Sequence, residues 1–122
     1  MMKNLFVCYP RCTTCRRAQQ WLDEAGIGYQ FRDIKAQNPA ENELRSWHTK
    51  SGLPLRRFFN TSGLSYRELG LADKLADMSE DEQFALLASD GMLLKRPIMV
   101  TGDRVLVGFK EADWERLRKS ML

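Results

Sequence analysis

Between Leu5 and Ile34 the apolar pattern changes period twice, and this limits the chain's fold more than any other feature of its sequence. Leu5-Phe-Val-Cys-Tyr9 is short, apolar on both faces and stopped by Pro10, which suits a central strand covered on both sides. From Thr13 to Ala25 the spacing becomes helical. Ala18, Trp21, Leu22 and Ala25 fall on one face, and Gly26 is placed to cap the C-terminus. Tyr29 to Ile34 alternates and reads as a second strand. A strand, a crossover helix and a strand within about thirty residues make a βαβ unit. Its two strands are expected to run parallel.

The rest of the chain divides into a helical middle and a hairpin with a closing helix. An all-helical insertion is expected from about residue 38 to 92. Asn38 suits an N-cap, Pro39 the first helical position and Glu41 the third. Leu44 and Trp47 would face inward, and the helix should end before Gly52. Shorter helical turns are expected near Leu55–Phe59 and Tyr66–Leu69, with Gly63 and Gly70 as punctuation. Ser79-Glu-Asp-Glu82 is a capping box that opens a helix through Ala88, and Gly91 closes it. Ile98–Val100 and Val105–Val107, around Thr101-Gly-Asp103, read as an antiparallel hairpin. Trp114, Leu117 and Met121 give the inner stripe of a final helix.

Composition removes several classes of function. With 122 residues, 43% hydrophobic and 29% charged, residues 1–122 should form one ordered α/β domain. No apolar run approaches the length of a membrane span, and the stretch after Lys3 meets Pro10 and Arg11 too soon for a secretory signal. A cytoplasmic protein is expected. Nineteen basic against sixteen acidic groups leave a net charge of only +3, which is no argument for direct nucleic-acid binding. Three cysteines, an odd number, make a disulfide scaffold a poor reading and bring thiol chemistry or simple burial forward.

Cys12-Thr-Thr-Cys15 lies in the turn between the first strand and the first helix. Free backbone N–H groups and the positive end of the helix dipole favour a thiolate there. Arg11, Arg16 and Arg17 add positive charge, and Arg11 and Arg16 are candidate substrate contacts. All of these effects favour a nucleophilic Cys12. A C-x-x-C inside a βαβ pattern is also the thioredoxin-like redox signal. A zinc site would have to recruit Cys8, Cys12, Cys15 and His48, but Cys8 falls on a buried strand and His48 on a distant helix. Cys8 reads as a small core residue and His48 as surface or interface. Arg96-Pro97 opens the hairpin, and its loop would carry Lys95 and Arg96 towards Cys12, where a guanidinium could hold an oxyanion or carboxylate.

These landmarks resemble the arsenate reductase, Spx and YffB group of thioredoxin-fold proteins. The resemblance is carried by Tyr9-Pro-Arg-Cys-Thr-Thr-Cys-Arg16, Tyr66-Arg-Glu-Leu-Gly-Leu71, Leu94-Lys-Arg-Pro-Ile98 and Val107-Gly-Phe109, and covers nearly the whole chain. It implies a thioredoxin-like sheet with a helical insertion and a cis proline at Pro97 facing the active cysteine. It also implies a thiol-dependent reductase without a bound cofactor. Cys12 would attack a disulfide or an arsenate-like oxyanion, Cys15 or glutathione would resolve the intermediate, and Arg96 would hold the bound group while Pro97 shapes the site. Glutathione, glutaredoxin or thioredoxin would supply the reducing equivalents. The reductases of this group use three arginines. Only Arg96 has a counterpart here, the other two positions falling at Asn60 and Gly108, with Arg56, Arg57 or Arg11 as candidate replacements. The Spx members imply a different function, a redox-sensing regulator that binds the RNA polymerase α subunit and is switched by a Cys12–Cys15 disulfide. A monomer is expected in either case.

Overall fold

Asn4–Cys8 forms β1, the strand on which the sheet is built. The computed structural model describes residues 4–120, and the sheet has the order β2-β1-β3-β4. β2 (Gln30–Asp33) runs parallel to β1, with Leu5 opposite Gln30 and Cys8 opposite Asp33. β3 (Ile98–Thr101) lies antiparallel on the other side, Val7 opposite Ile98, and β4 (Arg104–Val107) pairs antiparallel with β3 through a tight turn at Gly102–Asp103. Gly102 takes φ +58 there, a conformation in which glycine is favoured.

Side chains alternate across the strands and so divide the core into two layers. Phe6, Cys8 and Met99 face α1 (Thr13–Glu24) and α6 (Glu111–Ser120), meeting Cys15, Ala18, Leu22, Trp114 and Leu117. Val7, Ile98 and Val105 face the helical insertion and meet Leu44, Trp47, Phe58, Phe84 and Leu87. That insertion holds α2 (Glu41–Ser51), α3 (Leu64–Glu68), α4 (Leu71–Lys74) and α5 (Glu80–Ser89), with 3-10 turns at Leu55–Phe58, Leu75–Asp77 and Gly91–Leu93. The parallel βαβ unit, the hairpin and the closing helix all lie where the periodicity placed them. Met121, the last residue of the expected inner stripe, lies outside the described residues.

Four local expectations are corrected. α2 starts after Ala40, two residues later than the Asn38-Pro39 signal suggests, because Glu43 rather than Glu41 reaches back to the cap and accepts from the Ala40 N–H at 3.0 Å. Asn38 instead donates its side-chain amide to the Ala88 carbonyl at 2.8 Å, tying the insertion's entry to α5. Gly91 does not end α5 in a left-handed cap. It opens a 3-10 turn pressed so closely on β2's exit that a Cβ there would lie 2.0 Å from the Ile34 carbonyl oxygen. His48 is half-buried, with its ring edge-on to Phe58 and Phe84 at centroid distances of 5.8 and 5.6 Å, so it packs rather than projecting from the surface.

Candidate active site

Cys12 is the N-cap residue of α1, with extended backbone (φ −84, ψ 124) and no side-chain hydrogen bond to the helix. Its own N–H donates to the Tyr9 carbonyl at 3.0 Å, closing the tight turn through Pro10 and Arg11. The next amides of the first turn have no carbonyl a turn earlier to bond. No acidic side chain lies in that turn to cancel their field. Cys12 is half-buried and is the free thiol among the described residues.

Cys15 is not paired with Cys12. It is three residues further along α1, on the stripe of Ala18 and Leu22 that is turned towards the sheet, and there it is bonded to Cys8 of β1 with a Cα–Cα distance of 5.9 Å. Both cysteines are buried. The expected Cys12–Cys15 pairing is therefore not the one the fold adopts. Cys15 lies on the face of α1 that packs against the sheet, where Cys8 of β1 stands within the usual disulfide range. Cys8 is likewise a bonded partner as well as a small core residue.

Opposite Cys12 the chain closes a cleft of about 520 Å³, lined among others by Arg17, Arg57, Asn60, Lys95, Arg96 and Gly108. A short antiparallel pairing explains how the insertion contributes. Lys95 N–H donates to the Phe58 carbonyl at 2.8 Å and Asn60 N–H to the Leu93 carbonyl at 2.7 Å, around a bridge between Phe59 and Leu94. Arg57 and Asn60 are thereby carried beside Lys95 and Arg96. On the far wall Gly108 N–H donates to the Pro97 carbonyl at 2.8 Å, and the Gly108 carbonyl accepts from the buried Trp114 indole at 3.1 Å. That clamp fixes Gly108, Phe109 and Lys110 at the edge of the cleft.

Arg96 is held rather than splayed. Its Nη1 donates to the Leu94 carbonyl at 3.2 Å and the Met92 carbonyl at 3.4 Å, and the guanidinium lies 5.7 Å from the centre of the Tyr9 ring. Its Nε is buried without a partner among the described residues. The Arg96-Pro97 peptide bond is cis, with Pro97 buried behind the cleft wall.

Of the residues singled out in the sequence, Cys12 and Arg96 share the cleft. Arg11 and Arg16 are exposed and do not line it; Arg16 Nε instead donates to the Pro10 carbonyl at 3.2 Å. Asn60 and Gly108, the positions where the resemblance would put two more arginines, both line the cleft. Arg57 is the one of the three candidate replacements found beside them. Lys95 fills the neighbourhood of Gly108, its Cε 3.4 Å from where a Cβ would stand. Arg17 and Lys110 also line the cleft, bringing its cationic side chains to five. Neither was singled out as a substrate contact, although Lys110 follows directly on the Val107-Gly-Phe109 landmark. Among the described residues, no three His, Cys, Asp or Glu side chains converge as metal ligands. No helix among them is long and apolar enough to cross a membrane.

A sequence profile described as the ArsC family matches residues 8–117, from the disulfide cysteine of β1 to the last buried leucine of α6. The chain belongs to the ArsC family. This family member is 54% identical to the uncharacterized protein YusI of Bacillus subtilis (strain 168), over 93% of this chain and 97% of that one. It is also similar to the crystal structure of "a possible arsenate reductase" from Streptococcus mutans UA159, at 47% identity and a TM-score of 0.85, covering 94% and 99% of the two chains. A more distant relative is the global transcriptional regulator Spx 2 of Bacillus cereus, 28% identical over 88% of this chain and 79% of that one. Relatives of this chain are thus named both as a possible reductase and as a regulator.

Proposed function

We propose that this ArsC-family chain is a thiol-dependent reductase of anionic substrates, with Cys12 as its nucleophile. The observation that carries the reading is the half-buried Cys12 at a helix N-terminus, opening on a cleft lined by five cationic side chains. Such a cleft attracts a negatively charged group and holds it beside the thiolate. An oxyanion such as arsenate meets this description, as does a disulfide that carries carboxylates.

With a disulfide, the Cys12 thiolate attacks one sulfur, the S–S bond breaks, and one half leaves as a thiol after taking a proton. An external thiol then attacks the mixed disulfide. With arsenate, Cys12 forms an S–As bond with loss of water. Glutathione next attacks the Cys12 sulfur, the S–As electron pair departs with arsenic as arsenite, and a second thiol releases Cys12 from the resulting glutathione mixed disulfide. Arg96 is suited to hold the substrate oxygens, since its guanidinium lines the same cleft as Cys12. With Cys15 bonded to Cys8, glutathione or a protein thiol such as glutaredoxin is the reductant assigned to multiple turnover.

The test is arsenate-dependent NADPH oxidation coupled through glutathione, glutaredoxin and glutathione reductase, run beside Cys12→Ser and Arg96→Ala. Turnover lost with Cys12→Ser and weakened with Arg96→Ala supports the reading. Turnover that survives Cys12→Ser removes it. A regulator switched by a Cys12–Cys15 disulfide would need Cys15 free of Cys8. Redox-dependent capture of RNA polymerase by the wild-type protein would favour that function instead.

A further inference from the structure

A nucleophile at Cys12 gives no role to Cys8 and Cys15. Cys8 and Cys15 are bonded to each other and only 0% and 2% exposed, so a thiol in solution has no direct path to either sulfur. Cys12, half-buried, packs against the same core cluster that contains both of them. The turn between β1 and α1 links the three. The Tyr9 carbonyl accepts from Cys12 N–H at 3.0 Å, while Tyr9 N–H donates to Cys15 Sγ at 3.4 Å. Cys15 is therefore the middle sulfur, one helical turn after Cys12 and across the layer from Cys8. Of its two neighbours, Cys12 lines the cleft and Cys8 is buried in the core.

We propose that Cys8 is the terminal resolving thiol of a three-cysteine relay, and that Cys12 is the gate through which the buried Cys8–Cys15 bond is made and reduced. The proposal rests on Cys12 being the nucleophile. In the fully reduced protein, Cys12 attacks a disulfide, keeps one half as a mixed disulfide and releases the other as a thiol. Cys15 then attacks the Cys12 sulfur, which expels the second half as a thiol and leaves a Cys12–Cys15 bond. Cys8 attacks Cys15, the new bond moves into the core, and Cys12 departs as a free thiolate. The substrate gains two electrons and two protons, and Cys8 and Cys15 lose them. The state in the structure, with Cys12 free and Cys8 bonded to Cys15, is the end of this sequence. Reset runs in reverse. Cys12 attacks Cys15 and frees Cys8, one external thiol attacks Cys12 and frees Cys15, and a second external thiol releases Cys12 as the oxidised pair of external thiols forms.

The local geometry favours the last exchange. Cys15 lies on the inward stripe of α1, and its Cα–Cα distance to Cys8 is within the usual disulfide range. The Tyr9 N–H supports the Cys15 sulfur whenever it carries negative charge. The consequence is that one substrate can be reduced without an external thiol, after which Cys12 is again free to meet the cleft.

A single-turnover experiment tests this. Reduced protein, freed of reductant, is mixed with one equivalent of bis(2-hydroxyethyl) disulfide, quenched with iodoacetamide and mapped by peptide mass spectrometry. The wild type is expected to end with Cys12 alkylated, Cys8 bonded to Cys15 and both halves of the disulfide released as mercaptoethanol. Cys8→Ala should stop at a Cys12–Cys15 bond, and Cys15→Ser at the Cys12 mixed disulfide with only half of the thiol released. In Cys12→Ser protein already carrying the Cys8–Cys15 bond, glutathione should reduce that bond on the order of a hundredfold more slowly than in wild type. Wild-type protein ending with Cys12 bonded to Cys15 and Cys8 alkylated would overturn the relay while keeping Cys12 as nucleophile. Equal reduction rates for wild type and Cys12→Ser would do the same. Absence of any mixed disulfide in Cys15→Ser would instead overturn the nucleophile reading, and the relay with it.

Discussion

Arg96 and its neighbours settle how much charge the site offers, and their effects are measurable one side chain at a time. Arg96 is anchored through Nη1 to two carbonyls and keeps its Nε unpartnered. Removing it should cost about one to two powers of ten in kcat/KM for arsenate, the loss of one charge-assisted contact worth roughly 1.5–3 kcal/mol. Arg96→Lys should recover only part of this, because an ammonium keeps the charge without the planar fork. Steady-state kinetics of the two variants would check both. The positions Asn60 and Gly108 make a second comparison. Asn60 is half-buried in the cleft wall and its N–H is already paired with Leu93, so Asn60→Arg adds a cation without disturbing the backbone. Gly108 has φ +80 and Lys95 Cε close to its missing Cβ, so Gly108→Arg meets both strain and a neighbour of like charge. Asn60→Arg is therefore expected to tighten arsenate binding about tenfold, and Gly108→Arg to weaken both binding and stability. Equal gains from the two would contradict this account of the wall. Cys12 and Arg96 were legible in the sequence because each is adjacent to an element boundary that the pattern defines. Arg57 reaches the cleft through a pairing between residues 58–60 and 93–95, and no local periodicity records a contact across that separation.

Elements meet in this fold through a few fixed junctions, and these explain where local signals misled. The Asn38-Pro39-Ala-Glu41 signal for α2 was sound as a pattern, but a competing partner overrode it. Arg32 on β2 binds both oxygens of Glu43 at 2.6 and 2.9 Å, and Glu43 in turn takes the cap N–H, so the helix begins where that ion pair can form. The Ser79 box had no such competitor, and both of its reciprocal bonds form at 3.1 Å. Hydrogen bonding to Arg32, opposed in part by desolvation, holds the Glu43 carboxyl below its ordinary range. A carboxyl lowered in the folded state stabilises the fold above the unfolded carboxylate pKa, and that contribution is lost as pH falls through the folded value. Glu43→Gln should thus destabilise the protein by about 1–2 kcal/mol at neutral pH, since the pair is partly exposed. The gap to wild type should close on acidification below about pH 4, read by urea unfolding at each pH. A gap that stays constant down to acid pH would mean the ion pair is not its source. Gly91→Ala makes a sterner junction test. A methyl 2.0 Å from the Ile34 carbonyl cannot be accommodated without moving β2's exit, so a loss of about 1–3 kcal/mol is expected with an unchanged denaturant slope.

At the scale of the whole molecule, one mixed sheet separates two packed layers, and the cleft forms where the layers meet at the end of β1. This architecture was legible because its two halves are marked by period: a parallel βαβ unit before the insertion, and an antiparallel hairpin with a helix after it. The disulfide was not, because it depends on which face of α1 Cys15 turns towards β1. The spacing Cys12-Thr-Thr-Cys15 advertises a neighbouring pair, whereas the layer structure puts Cys15 opposite Cys8. This pairing has a mechanical consequence that is independent of the chemistry proposed for it. It ties the central strand to the helix carrying the nucleophile across a sequence separation of 7 residues. Closing so short a loop in the unfolded chain stabilises the fold by about 2–3 kcal/mol in the chain-entropy account. Oxidised protein should therefore unfold at a higher guanidinium midpoint than protein kept reduced. Cys12→Ser should preserve the full difference, since Cys12 takes no part in the bond, whereas Cys15→Ser should abolish it. If the redox dependence of stability vanished with Cys12→Ser and survived Cys8→Ala, the tether would be the Cys12–Cys15 pair, and β1 would be held to α1 by packing alone.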